Sequence, residues 1–160
     1  MKNVNLIAKL IGGYQIAGGL IGILFMLREI VMNPNQLFGL FGVLFLVAFL
    51  LYIFSIFAGY KLIKLDELGI HYSKINQLLQ LIFFATLGCG YSFVSGFKFV
   101  IGIDATTDVR LFYRYSLSDW RFMINPSNES NYFGINIIAL ILVILLEKLF
   151  REINSQDSTI

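Results

Sequence analysis

The chain has 160 residues, of which 58% are hydrophobic and only 14% are charged, and its mean hydropathy is +0.77. A soluble domain carries about 25% charged residues, so this composition indicates an integral membrane protein and argues against most soluble enzymes and disordered regulators. The net charge of +2 favours no nucleic-acid partner. One cysteine and one histidine exclude an intrachain disulfide framework and a His/Cys metal cluster, and we expect no cofactor.

Four apolar stretches are candidates for membrane-spanning helices. A helix that crosses the hydrocarbon core needs about 20 mostly apolar residues, and the core of each stretch contains no charged residue. The first stretch follows Lys2 and Lys9, as a signal peptide would, but no small-x-small cleavage site follows it, so we expect a retained helix. The predicted fold is all-α, a single membrane domain over 1–160 with four transmembrane helices in an up-down bundle. The predicted spans are 6–32, 34–68, 73–97 and 131–153.

The segment 98–130, between the third and fourth spans, has a different pattern. From Phe97 to Ile103, and again from Val109 to Leu117, every second residue is apolar or aromatic, and the residues between them are a mixture of charged, polar and apolar types. This period of two predicts a β-hairpin-like insertion outside the cytoplasm, and 120–124 is a candidate third strand. The competing interpretation is that the third helix continues to Ile103 and that an irregular loop follows.

Basic residues at the span ends predict the orientation in the membrane. The side that holds both termini carries seven Lys and Arg, and the other side carries five. Basic residues accumulate on the cytoplasmic side, so we expect both termini in the cytoplasm. A composition rich in Ile, Asn, Lys and Phe is typical of AT-rich bacterial genomes, which suggests the bacterial inner membrane.

Catalytic and transport motifs are not supported by the residues present. Coupled transporters use ionisable residues within their spans, and the cores of the four predicted spans have none. Ser92 and His71 are too far apart along the predicted third helix to act as a catalytic pair. A lone Cys89 excludes an intrachain dithiol site. We therefore predict that the protein is not an enzyme.

Small residues recur at helical spacing in the predicted first and third spans. Such residues let helix backbones approach closely in membranes, so they predict either packing within the bundle or contact with a second copy or another membrane protein. The candidate packing residues are Gly18, Gly22, Gly88, Ser92 and Gly96. Gln77 and Gln80 share one face of the predicted third helix, where they would line a polar cavity or bond to a neighbouring helix.

Aromatic and arginine side chains in the 98–130 segment are the best candidates for a recognition surface, because these types are enriched at binding hot spots. Alternation would project Arg110, Phe112 and Arg114 from one face of a strand. The candidate surface is Arg110, Phe112, Arg114, Trp120 and Arg121. The alternative is that these arginines meet lipid phosphates while the aromatic rings anchor the segment at the interface.

The function predicted from these patterns is binding. We expect a non-enzymatic subunit, accessory or immunity-type protein in contact with the lipid bilayer, with a membrane-protein partner or a second copy of itself. The alternative is a passive channel or carrier formed by oligomerisation.

Overall fold

The computed structural model describes residues 2–34, 39–124 and 130–157, which form four helices and a six-stranded antiparallel sheet. The helices are α1 (Lys2–Met32), α2 (Leu40–Ile63), α3 (Glu67–Leu79) and α4 (Ile137–Asp157). The strands are β1 (Ile82–Thr86), β2 (Cys89–Phe93), β3 (Phe97–Asp104), β4 (Arg110–Leu117), β5 (Trp120–Ile124) and β6 (Tyr132–Asn136).

The predicted all-α four-helix bundle is wrong, because the chain folds into a mixed α/β structure. Among the described residues, only α1 and α2 are long and apolar enough to cross a membrane. The predicted span 73–97 is divided between α3, β1, β2 and the link to β3. The predicted span 131–153 begins as β6 and is helical only from Ile137.

The third predicted span fails because it contains a tight hairpin. Leu87 and Gly88 both have positive φ, 51° and 77°, and they join β1 to β2 as a two-residue turn. Such a turn is the usual connection between antiparallel strands, and Asn-Gly is its usual sequence signal. Leucine at the first position hides that signal within an uncharged run.

The hairpin predicted from the alternating pattern is confirmed, since β3 and β4 pair antiparallel from Phe97↔Leu117 to Asp104↔Arg110. The competing interpretation, a third helix extended to Ile103, is wrong. The third strand, β5, is also present but pairs with β2. These strands are therefore part of one sheet of order β4-β3-β6-β1-β2-β5, and not an insertion on a helical bundle.

The sheet is strongly curled. The link between β4 and β5 places Asp119 against Lys98 of β3, although β3 and β5 are four strand positions apart in the sheet, about 19 Å if it were flat. Gly102 and Gly134 face each other across β3 and β6. A Cβ on Gly102 would lie 2.7 Å from the Phe112 ring, so the missing side chains let that ring fold over the inner face.

Two hydrophobic clusters hold the helices and the sheet together. At one end of the α1–α2 hairpin, α3 and α4 pack against it through Ala8, Leu62 and Leu146. At the other end, Met26 and Tyr52 pack against β2 and β5. The sheet and the two shorter helices therefore form one layer against α1 and α2.

Short side-chain contacts fix the junctions between elements. Asp66 caps α3 by accepting a hydrogen bond from the Leu68 amide at 3.0 Å. Asn136 links β6 to α4, since its Oδ1 accepts from the Ile138 amide at 3.2 Å. Between α3 and α4, Lys74 donates to Glu147 at 2.6 Å, and this hydrogen bond is the main cause that lowers the pKa of Glu147.

Candidate functional site

Charged and polar side chains lie on the inner face of the curled sheet, which is the reverse of a typical water-soluble sheet. Directly paired residues of neighbouring strands share a face. The register pairs Lys98 with Ser116 and Ser92 with Arg121. Arg114 pairs with Val100, on the same face of β3 as Lys98. Curling brings these side chains together on the concave side.

Lys98 is the buried charge at the base of this concave side. Its side chain is 4% exposed and forms an ion pair with Asp119, whose side chain is 30% exposed. The ammonium also donates to the Ser92 hydroxyl at 3.3 Å and lies 5.0 Å from the centre of the Phe83 ring. A buried charge needs such partners, because an uncompensated ammonium in a low-dielectric interior is very costly.

Arg114 is held by aromatic rings. Its guanidinium lies 4.8 Å from the centre of the Tyr132 ring and 5.1 Å and 5.3 Å from those of Phe112 and Phe83. Cation–π contacts of this kind stabilise the guanidinium and restrict its orientation. Within the described part of the chain, no carboxylate lies within 4 Å of Arg114 or of Arg121. Both guanidinium groups therefore keep N–H donors available.

A cavity of about 400 Å³ lies between the two edge strands, β4 and β5. A volume of that size is typical of small-molecule sites. The Ser116 hydroxyl is buried and has no hydrogen-bond partner. The cavity is lined by Phe83, Lys98, Tyr113, Arg114, Tyr115, Ser116, Asp119 and Arg121.

Charge in the cavity is unbalanced. Lys98, Arg114 and Arg121 are cationic and Asp119 is the one acidic residue of the lining, so the lining has a formal charge of +2. The acid at the turn end of the β3–β4 hairpin, Asp104, is not part of the lining. Hydrogen bonds from Thr106 lower the pKa of Asp104, and Arg114 adds a smaller effect. The cavity is electrostatically suited to an anion.

Ser92 and Lys98 do not form a catalytic pair. Some hydrolases use a serine hydroxyl beside a lysine amine, but the amine must then accept the hydroxyl proton. Here the Lys98 amine is already engaged in an ion pair with the Asp119 carboxylate. Ser92 is also buried. This geometry suits the positioning of charge rather than nucleophilic attack.

The predicted recognition residues are only partly brought together. Arg114 and Arg121 line the cavity, and Phe112 packs against Arg114. Arg110 is exposed and bonds to Asp108 at 2.7 Å. Trp120 is on the opposite face of β5, where its ring packs edge-on against Phe45 of α2.

The small residues occupy several different environments. In α1, Gly22 lies against the Tyr52 ring and Gly18 against the backbone of Ser95 and Gly96. Gly88 is in the β1–β2 turn and Ser92 is in β2. Gly96 has a φ of 114° and contacts Tyr14. The predicted helical stripe of Gly88, Ser92 and Gly96 therefore does not exist.

Gln77 and Gln80 are buried in a polar core between α1, α2 and α3. Gln80 Oε1 accepts a hydrogen bond from the Ser95 amide at 2.8 Å, and both side-chain Nε2 atoms lack a partner. In the same core, Asn76 donates to Ser55 at 3.0 Å. Gln80 therefore ties the end of α3 to the link between β2 and β3, and neither glutamine lines the cationic cavity.

Asp119, Ser116 and Phe83 were missed as site residues by the sequence patterns. Asp119 is the one acidic residue between Arg110 and Ile124, a stretch that also holds three arginines, and that isolated acid is the signal that could have marked it as the partner of a buried base. Phe83 was hidden in the predicted third span. Only the curled sheet brings it to Arg114.

Comparison of the chain with family profiles, with curated proteins and with solved structures gives no match.

Proposed function

We propose that this is a membrane-embedded, non-enzymatic accessory protein whose curled sheet binds a partner in or at the membrane. The observation that carries this proposal is the inverted distribution of side chains. Large apolar residues cover the outside of the helices and of the sheet, while Lys98 and Arg114 lie on the inside. Water disfavours that arrangement and lipid favours it.

The surface of α2 supports contact with lipid. Only 17% of its most apolar stretch is buried inside the protein, whereas a core helix of a soluble protein would be mostly buried. Its exposed side chains are entirely apolar or aromatic between 40 and 60, and they include Leu46, Leu50 and Ile53. An apolar surface of this extent is typical of a membrane or protein contact.

The outer face of the sheet supports the same conclusion. Leu111 of β4 is 81% exposed, and Tyr113 and Tyr115 are each 72% exposed. Ile101 and Ile103 of β3 are also exposed on this face. Tyr and apolar side chains together are typical of the membrane interface.

The alternative of a pore formed by oligomerisation is less well supported. A pore between copies of α2 would be lined by apolar side chains, and polar residues such as Gln15 and Asn76 are buried in the interior of each chain. The contact between Ser92 and Lys98 gives no support to an enzymatic role, since the amine beside Ser92 is paired with Asp119.

We place the protein in the bacterial inner membrane, with both termini in the cytoplasm. Lys and Arg predominate on the side of the termini. Ala8 near the start of α1 packs with Leu146 and Leu149 in the middle of α4, so α4 meets α1 at the end of the α1–α2 hairpin that holds the N-terminus.

Alkaline carbonate extraction of bacterial membranes tests the embedding. The tagged full-length chain should remain in the pellet. Leu46→Lys with Leu50→Lys should lower the amount in the membrane fraction, because a lysine in the hydrocarbon core costs about 2.5–3.5 kcal/mol. Thr106→Lys with Thr107→Lys, in the exposed β3–β4 turn, is the matched control. Release of the wild type by carbonate would contradict embedding.

Capture from solubilised membranes tests the binding role. A bound partner should be lost from Arg114→Gln with Arg121→Gln and retained by Arg110→Gln with Arg151→Gln, which removes the same charge outside the cavity. A monodisperse wild-type monomer that brings down no protein, lipid or small molecule would contradict the binding role.

A further inference from the structure

We propose that the cavity between β4 and β5 binds a phosphate group, carried by a membrane amphiphile or by a small soluble phosphate ester. This inference rests on the proposed binding role of the curled sheet and names the chemical class of its ligand. The two sources present the same group to the cavity, and experiment can distinguish them.

Charge selects a phosphate over a carboxylate. The lining has a formal charge of +2, from three basic residues and Asp119. A carboxylate would leave one positive charge without a partner, whereas a phosphate monoester carries about −1.5 to −2 at pH 7 and matches the lining. Because Lys98 is already paired with Asp119, Arg114 and Arg121 provide the unpaired positive charge.

The donors are arranged around the cavity from both edge strands. Arg114 and Ser116 alternate along β4, and Arg121 belongs to β5. A guanidinium presents paired N–H groups that fit two oxygens of a phosphate. The buried Ser116 hydroxyl lacks a partner and can donate to a third oxygen. An unpartnered buried hydroxyl costs free energy, which a bound oxygen would remove.

Four consecutive residues of β4, from Tyr113 to Ser116, line the cavity. Side chains alternate between the two faces of a strand, so a run of four means that the edge of β4 itself faces the cavity. β4 is a terminal strand of the sheet, and its outer edge pairs with no other described strand. Backbone N–H groups along this edge can supply further donors to an anion.

The remaining space suits a group attached to the phosphate. The cavity volume of about 400 Å³ exceeds what a phosphate occupies. Phe83 also lines it, and its ring gives the attached group an apolar contact. The apolar outer face of β4 would place the opening of the cavity near lipid. A phosphate ester that carries acyl chains would then gain apolar contacts that free phosphate lacks.

Titration of the purified full-length chain in a neutral detergent tests the site. The probes are inorganic phosphate and dioleoyl phosphatidic acid in mixed micelles, with chloride and phosphatidylcholine as the respective reference ligands. Calorimetry gives the Kd and thermal unfolding gives the shift in Tm. We expect a saturable interaction with at least one phosphate probe. Phosphatidic acid that binds at least about tenfold more tightly than inorganic phosphate identifies a membrane amphiphile as the source, and similar affinities identify a soluble ester.

Arg121→Gln should weaken binding about tenfold or more, since one charge-assisted hydrogen bond contributes roughly that factor. Arg121 is exposed, so this variant should fold even if Arg114→Gln does not. Arg110→Gln with Arg151→Gln should bind like the wild type. If neither probe exceeds its reference, or if Arg121→Gln and Ser116→Ala both bind like the wild type, the phosphate site is wrong. Carbonate extraction and the capture of a partner by the wild type but not by Arg114→Gln with Arg121→Gln test the proposed function separately. A failed phosphate titration can therefore be distinguished from failure of the proposed function.

Discussion

A single buried lysine explains much of the chemistry of the sheet. Lys98 is 4% exposed and Asp119 is 30% exposed, so the two partners of this ion pair differ in how far water can compensate for a lost contact. The Lys98 ammonium is nearly inaccessible to water, so its stability depends on the Asp119 carboxylate. Asp119 is closer to solvent, so its stability depends less on Lys98.

This asymmetry leads to a prediction at the residue scale. Asp119→Asn should destabilise the protein by about 3 kcal/mol, because it leaves a buried ammonium without its counter-charge. Lys98→Met should cost only about 1 kcal/mol, because the freed carboxylate can be solvated. Urea unfolding in detergent measures both changes. The double variant Lys98→Met with Asp119→Asn should be more stable than Asp119→Asn alone.

The exposed pair Asp108 and Arg110 is the control for this comparison. Both side chains are 71% exposed, and exposed ion pairs contribute at most about 1 kcal/mol. Asp108→Asn should therefore change the free energy of unfolding by less than Asp119→Asn does. Equal effects of these two substitutions would show that the Lys98–Asp119 pair is solvated.

At the scale of elements, two glycines of α1 allow the effect of close packing on stability to be distinguished from the effect of helix propensity. A Cβ on Gly18 would lie 2.4 Å from the Gly96 amide nitrogen, whereas a Cβ on Gly13 would meet nothing within 4 Å. Gly18→Ala should destabilise the fold by about 1–3 kcal/mol through overpacking. Gly13→Ala should stabilise it by about 0.5–1 kcal/mol. Tm values in detergent check the difference in sign, and destabilisation by both would contradict it.

The β1–β2 hairpin provides a second prediction at this scale. Leu87 is 90% exposed and has a φ of 51°, a conformation that leucine disfavours. Asparagine tolerates it and is the preferred residue in two-residue turns. Leu87→Asn should raise the free energy of unfolding by roughly 0.5–1 kcal/mol. Leu87→Val, which is β-branched and strained at positive φ, should lower it. Thermal unfolding distinguishes the two.

For the whole molecule, the orientation in the membrane is the main prediction. In a Cys89→Ser background, a membrane-impermeant thiol reagent applied to intact cells should label Asn33→Cys, in the link between α1 and α2, and should not label Ser155→Cys. The reason is that a chain that crosses the membrane with α1 and α2 holds this link on the side opposite to its termini, and the excess of basic residues favours the cytoplasm for the termini. Permeabilised cells should show labelling at both positions. The opposite pattern in intact cells would reverse the orientation.

The patterns in the chain predicted local features more reliably than their arrangement. Alternation identified the strands from Phe97 to Leu117, and the apolar runs identified α1 and α2. The same apolar signal merged α3, β1 and β2 into one span, because a short uncharged run is compatible with either a helix or buried strands. Of the candidate recognition residues, Arg114 and Arg121 reached the cavity. Trp120 did not, because successive residues of β5 face opposite sides.

The sequence by itself determined the apolar composition, the two long apolar helices and the pairing of β3 with β4, because composition and alternation between neighbouring segments are local properties. Only the tertiary structure decided that β6 inserts between β3 and β1 and that the sheet curls until Lys98 meets Asp119. Those contacts join residues far apart in the chain. They depend on the facing glycines Gly102 and Gly134 and on the order of the strands, which the local period of the side chains does not specify.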